Sequence, residues 1–193
     1  SHAVSMTMTT NAIQPQQKQH GSGCETCPMN RHLERLGMNL DNWDYVVALA
    51  GNPNCGKTAL FNRLTGVRQS TGNWPGVTVD RKEGRFDLLG RDTAVVDLPG
   101  IYSLDASSID EQVTRDYLLS GEARLVVNVL DAANLERNLY LVSQLLDLDL
   151  PLLLVLNKSD VARGCGIDID VAALSRKLGI SVVQTEAHRG RGL

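Results

Sequence analysis

The chain has 193 residues, 42% of them apolar and only 4% aromatic, which suits one domain with an aliphatic α/β core whose Val/Leu strands are buried on both faces. A formal net charge of −3 leaves no electrostatic footprint for nucleic acid. No apolar run approaches the ~18 residues that a membrane span needs, so this chain itself reads as soluble.

Residues 1–43 are rich in Ser, Thr, Gln and His and show no apolar periodicity before Leu33 to Leu40, which predicts a flexible, disordered tail leading to a short helix. Ser1-His2 reads as a cloning scar. Within the tail, His20-x₃-Cys24-x₂-Cys27-x₄-His32 has ligand types and a cysteine spacing compatible with a metal site or a redox couple. The plain-tail reading competes with it, because four ligands within so short a stretch have almost no scaffold to hold them.

A strand is predicted over 45–50, and directly after it stands Gly51-Asn-Pro-Asn-Cys-Gly-Lys-Thr58, which fits G-x-x-x-x-G-K-[ST]. Glycines let such a loop curl so that successive N–H groups face phosphates, Lys57 reaches the β/γ oxygens and the Thr58 hydroxyl completes a Mg²⁺ shell. The expected nucleotide contacts here are Gly51, Asn52, Pro53, Asn54, Cys55, Gly56, Lys57, Thr58 and Ala59, at the start of a helix over 57–65. Cys55 reads as a small loop residue, although its oxidation would block nucleotide entry. Residues 68–80 read as a polar surface loop, followed by strands at 84–88 and 93–97. The second ends in Asp97-Leu-Pro-Gly100, a D-x-x-G. There Asp97 can hold Mg²⁺ through its water shell and the Gly100 N–H can touch a γ-phosphate, which makes the segment from Gly100 to Asp110 a candidate switch.

Ser and Asp signals start a helix over 109–119, then come a strand at 125–130 and a helix over 135–147. Leu135, Leu139, Val142, Leu145 and Leu146 form a helical stripe that reads as core packing. A strand at 151–156 ends in Asn157-Lys-Ser-Asp160, an N-K-x-D sixty residues beyond Asp97. The Asp160 carboxylate can accept from N1–H and N2–H₂ of guanine, whereas adenine offers an acceptor at N1 and no amine at C2. Sites built on such a bond discriminate by up to ~10⁴–10⁵. A helix over 168–178, a strand at 181–185 and the loop Gln184 to Gly192 close the chain, with His188, Arg189 and Arg191 forming a small basic cluster read as a solvated loop.

The segments Gly51 to Gly66, Gly72-Asn-Trp-Pro-Gly-Val-Thr-Val79, Asp97-Leu-Pro-Gly-Ile-Tyr-Ser-Leu104 and Asn134-Leu-Glu-Arg-Asn-Leu-Tyr-Leu141 resemble the cytosolic G domain of the bacterial ferrous-iron transport protein B family. The resemblance runs from about Tyr45 to Leu193. It implies a first switch at about Arg68 to Asp80, with Thr78 as the threonine that meets Mg²⁺ and the γ-phosphate, and Thr71 as its rival. Trp74 reads either as a mobile-loop aromatic or as a packing residue. The resemblance also implies that Asn54 binds a potassium ion standing where other GTPases place an arginine finger; the competing reading of Asn54 is an amide that stabilises the loop. It matches Ala187 to the residue whose N–H meets guanine O6, with Glu186 standing where serine is more usual. Ile101 occupies the place where Ras-type GTPases carry a water-orienting glutamine, so intrinsic hydrolysis should be slow.

The fold expected is an α/β P-loop GTPase: a doubly wound, mostly parallel six-stranded sheet flanked by helices. Residues 44–193 would form the G domain, stopping short of the family's last helix, helical spacer and membrane domains. The expected catalytic groups are Lys57, Asn54, Thr78 and Gly100, with base contacts from Asn157, Lys158, Asp160 and Ala187. GTP and GDP are the expected ligands, Mg²⁺ and K⁺ the cofactors, and the rest of an iron-transporter polypeptide the partner, at the cytoplasmic face of the inner membrane. Nucleic acid is not expected, and oligomerisation is left open. The alternative is a soluble GTPase switch of the ribosome- or tRNA-modification-associated type that acts through a partner.

Overall fold

The computed structural model describes residues 45–192. The predicted tail, its helix near Leu33 to Leu40 and the Cys24/Cys27 pair lie outside the described residues.

In chain order the elements are β1 (Tyr45–Gly51), α1 (Lys57–Thr65), β2 (Gln69–Asn73), β3 (Asp80–Leu88), β4 (Arg91–Asp97), α2 (Ile109–Leu119), β5 (Leu125–Asp131), α3 (Leu135–Leu146), β6 (Leu152–Asn157), α4 (Ser159–Gly164), α5 (Val171–Leu178) and β7 (Ser181–Gln184). They build one sheet in the order β2-β3-β4-β1-β5-β6-β7. β4, β1, β5, β6 and β7 run parallel, so their carboxyl ends share one edge. β3 runs antiparallel to β4, and β2 antiparallel to β3.

Side-chain alternation along the strands divides the core into two layers. On β1, Val47 and Leu49 pack with Leu60 and Phe61 of α1, while Ala48 and Ala50 face Tyr117, Leu118, Leu141 and Leu145 of α2 and α3. The stripe predicted on α3 is the buried one: Val142 and Leu145 are fully enclosed and Leu135, Leu139 and Leu146 pack beside them. α2 starts where its signals put it. Ser108 accepts from the Glu111 N–H at 3.2 Å while the Glu111 carboxylate accepts from the Ser108 N–H at 3.3 Å, a reciprocal cap.

Several expectations need correcting, among them two element bounds: the helix read over 168–178 is Val171–Leu178 and the strand read over 84–88 is Asp80–Leu88. The sheet has seven strands, not six, because Gln69–Asn73 pairs with Asp80 to Gly84 inside the segment read as a loop. Every residue of β2 is exposed and none is a large apolar one, so backbone pairing alone forms the strand and no hydrophobic alternation betrays it. α4 was also not foreseen; it begins inside Asn157-Lys-Ser-Asp160 and is only six residues long.

Beneath the β2–β3 connection lies a cluster of polar groups. Trp74 is 3% exposed, meets Tyr117 edge-on at 5.4 Å between ring centroids and carries the Arg81 guanidinium over its face at 4.7 Å. Trp74 is therefore a packing residue. Nearby, in the α2–β5 connection, burial pushes the Glu122 carboxyl up to about 7; the Arg81 charge opposes the shift and Glu83 adds to it. A carboxyl whose folded pKa is raised binds its proton more tightly in the native chain. Its stabilising effect is complete below the unfolded value and is lost as pH rises towards 7. Glu122→Gln should thus match the parent in urea unfolding at about pH 4 and exceed it by about 2 kcal/mol at pH 8; equal stability at both pH values would refute this.

Candidate functional site

Each parallel strand delivers a polar loop to the common carboxyl edge: 51–58 after β1, 97–100 after β4, 131–134 after β5, 157–160 after β6 and 185–190 after β7. Ligands of open α/β sheets bind at that edge, where the strand order reverses around the first strand.

The 51–58 loop turns straight into α1. Gly56, at φ 94°, is where the turn requires glycine: a Cβ there would lie 2.0 Å from the Asn157 side-chain nitrogen. Gly100 approaches the loop from the other side, and a Cβ on it would meet the Pro53 Cα at 3.2 Å. The Ile101 N–H donates to the Gly51 carbonyl at 3.2 Å, and the Ile101 side chain is buried in the core cluster that holds Leu98 and Leu104. At the floor, the Lys57 ammonium forms an ion pair with Asp97, the two side chains being 10% and 6% exposed. Lys57, Thr58 and Gly100 are shared by two adjoining crevices. One, of about 460 Å³, runs past Asn52, Pro53 and Asn54; the other, of about 430 Å³, runs to Thr78, Asp80 and Asp97.

The structure thus brings Thr78 to the crevice that holds Lys57 and Asp97. Thr71 instead sits in β2 opposite Lys82. A carboxylate and an exposed threonine hydroxyl opening on one crevice fit a hard divalent cation such as Mg²⁺. Asn54 is exposed at φ 63°, and its side-chain amide makes no hydrogen bond among the described residues. Cys55 is 1% exposed and burial pushes its thiol up, so it stays protonated and packs as a small residue.

Asn157 ties the loops together. Its nitrogen donates to the Cys55 carbonyl at 3.0 Å, and its oxygen accepts from the Ala187 N–H at 2.9 Å and the Thr185 hydroxyl at 3.3 Å. The Ala187 N–H expected to face guanine O6 is thus engaged by Asn157 here. Lys158, left-handed at φ 59°, donates to the Asn54 carbonyl at 2.6 Å and to Asp131 at 2.9 Å. Asp160 keeps one carboxylate oxygen buried without a hydrogen-bond partner, while the other faces His188 at 3.3 Å and Arg189 at 3.7 Å. An unpartnered acceptor at this place fits the two donors of guanine. Glu186 is buried and surrounded by Arg163, Arg189 and Arg191, so the basic residues of the last loop, exposed as a solvated loop has them, also balance carboxylates.

Sequence reading missed Asp131. It ends an apolar strand, as Asp97 and Asn157 do, and that shared position is the signal that would have found it. Among the described residues no helix is long and apolar enough to cross a membrane, and no cluster of His, Cys, Asp and Glu could hold a metal ion by protein ligands alone.

The family model described as Ferrous iron transport protein B matches residues 45–193. The Fe(2+) transporter FeoB of Salmonella typhimurium is 54% identical over 152 residues, 77% of this chain and 20% of the relative, and that of Escherichia coli K12 is 52% identical over the same span. The chain therefore spans about a fifth of the length of these curated relatives. Among solved structures, the G domain of T. maritima FeoB is 49% identical with a TM-score of 0.73, covering 77% of this chain and 91% of that one. A GDP-bound S. thermophilus NFeoB variant is 50% identical with a TM-score of 0.74, covering 77% of this chain and 58% of that one. The matched span takes in all seven strands and every loop of the carboxyl edge, and it assigns them to one lineage: the chain belongs to the ferrous iron transport protein B family, as its GTPase-type G domain.

Proposed function

We propose that this chain binds GTP at the carboxyl edge and hydrolyses it to GDP and phosphate, slowly by itself and faster in potassium, as the nucleotide-driven part of a ferrous-iron importer. The observation that carries the reading is the Lys57–Asp97 pair set across the Asn157 bridge from the one unpartnered carboxylate oxygen of Asp160. One end has what a triphosphate needs and the other what guanine needs.

In this mechanism the triphosphate lies along 51–58 and guanine meets Asn157 and Asp160. Lys57 leaves Asp97 for the β/γ oxygens. Thr58, Thr78 and, through water, Asp97 would hold Mg²⁺, which neutralises charge on those oxygens when bound. Water attacks the γ-phosphorus in line with the leaving β-phosphate, and the Gly100 N–H steadies the transferred group. The buried Ile101 side chain leaves no glutamine to orient the water, which makes the intrinsic rate slow. Asn54 would hold K⁺, supplying positive charge beside the developing negative charge. Support for that role is its free amide at the crevice rim and its match to the family's potassium-binding asparagine. Membership of a transporter family weighs against the soluble-switch alternative. By the same reading the chain works at the cytoplasmic face of the inner membrane, attached to the remainder of the importer.

GTP hydrolysis, with ATP as comparison, is to be measured in matched potassium and sodium buffers for the parent and for Asn54→Ala. The parent should turn GTP over about tenfold faster in potassium, and the variant should lose that difference while still binding GTP. A parent indifferent to the cation would exclude the potassium role, and equal use of ATP would exclude the guanine site.

A further inference from the structure

We propose that Asp131 is a positioning residue of the phosphate loop, acting through Lys158 on the backbone of Asn54. The inference deepens the function above and rests on its reading of 51–58 as the phosphate-binding loop.

Asp131 is the last residue of β5, in register with Asn157 on β6, so the sheet places it beside the residue that precedes Lys158. Its carboxylate is fully engaged. One oxygen accepts from the Ala133 N–H at 3.0 Å; the other accepts from the Asn134 amide at 3.2 Å and the Lys158 ammonium at 2.9 Å. Burial pushes the Asp131 carboxyl up, but the bonds from Lys158, Asn134 and Ala133 outweigh it and hold the group below its ordinary range. The backbone is fixed as well. The Asp131 N–H donates to the Asn138 side chain at 3.3 Å, and the Asn138 amide donates to the Asn134 carbonyl at 2.8 Å. Asn138 is 3% exposed, so this bracket is part of the packed interior.

What the bracket holds is the lysine. A lysine ammonium is a point charge on a flexible four-carbon stem, with three donors that any acceptor in reach can recruit. Here one donor goes to Asp131 and another to the Asn54 carbonyl at 2.6 Å. Both backbones so joined are left-handed, Lys158 at φ 59° and Asn54 at φ 63°, a conformation that non-glycine residues keep only when their surroundings enforce it. The same segment reaches the loop a second time, where the Asn52 amide donates to the Arg137 carbonyl at 3.5 Å. Residues 131–138 are thus a rear brace for the phosphate loop, and Asp131 is the charged link in it. Removing the carboxylate releases the ammonium and lets Asn54 relax. Nucleotide then leaves faster, and the Asn54 side chain loses its orientation.

Release of fluorescently labelled GDP from the chain tests this. Asp131→Ala should speed release about tenfold, and Asp131→Asn should fall between it and the parent, because an amide keeps the acceptor and loses the charge. Lys158→Met should speed release at least as much. The double variant Asp131→Ala/Lys158→Met should be little faster than Lys158→Met alone, since the charged link from Asp131 to the loop runs through that lysine. Near-ultraviolet circular dichroism of the buried Trp74 confirms that each variant is folded, and Asp131→Asn serves in the cycle if Asp131→Ala is not. Effects that multiply in the double variant, or parental release from Asp131→Ala, would overturn the proposal. A parent that binds no labelled GDP would instead overturn the phosphate-loop reading beneath it.

Discussion

Lys57→Met should weaken GTP binding by about 10³-fold or more and, at the same time, destabilise the nucleotide-free chain by about 3 kcal/mol. The two losses have different causes. Binding suffers because the ammonium is the only formal positive charge that residues 51–58 themselves carry. Stability suffers because Lys57 already has work before nucleotide arrives: it neutralises Asp97, whose side chain is only 6% exposed. Breaking a buried pair by removing one partner leaves the other charge without compensation, and this is the expensive way to break it. Removing the charge from both should therefore separate the effects. Lys57→Met/Asp97→Asn is expected to regain most of the stability in urea unfolding and none of the affinity in GTP titration. If the double variant stays as unstable as the single one, the pair is not what holds this part of the fold. If Lys57→Met keeps GTP affinity within about tenfold of the parent, the loop does not bind phosphate as proposed.

The pair also bears on how the site would fill. Lys57 and Asp97 satisfy each other in this structure. On the proposed reading, a triphosphate arriving with its divalent ion would offer each of them a better partner at once. A nucleotide without the ion satisfies only the lysine and leaves the aspartate buried and alone.

How much of this was legible beforehand follows from the range of the interactions that decide each feature. Helices over 57–65, 109–119 and 135–147 were readable to within a residue, because caps and apolar stripes are local signals. The glycines, Lys57, Asp97, Asn157 and Asp160 were readable as one site because parallel strands must put their carboxyl ends on one edge, and each motif follows an apolar strand. β2 was not readable. Its pairing partner is Asp80 to Gly84, its side chains are all exposed, and the bonds that define it are between backbones. Trp74 was ambiguous for the same reason: its burial depends on Tyr117 and Arg81, which the chain reaches only after folding. Asn134 to Asn138 carried a visible family signature but no visible task, and Asp131 carried neither, since its partner Lys158 and the Asn54 carbonyl that Lys158 reaches belong to two other loops.

The largest change in specificity should come from Asp160→Asn, which is expected to cost GTP affinity about 10³-fold and to confer binding of xanthosine triphosphate in its place. Guanine presents N1–H and an amine at C2, two donors side by side, and a carboxylate accepts both. Asp160 is prepared for that: one oxygen is buried with no partner, and the other is steered by His188 and Arg189. An asparagine in the same position keeps the shape and offers one acceptor and one donor. Its amide nitrogen would then oppose the guanine amine, leaving two donors face to face and both unpaired. Xanthine has a carbonyl at C2, so the same amide nitrogen finds an acceptor and the pairing is restored. Because Asn157 bridges to Cys55 and Ala187 without help from Asp160, the substitution should leave the phosphate loop and the melting temperature unchanged. Competition binding of the two nucleotides gives the answer directly. An inverted preference with unaltered stability identifies Asp160 as the group that reads the base. A variant that binds both nucleotides as the parent does would mean that the base is read elsewhere, and the unpartnered oxygen would then need another explanation.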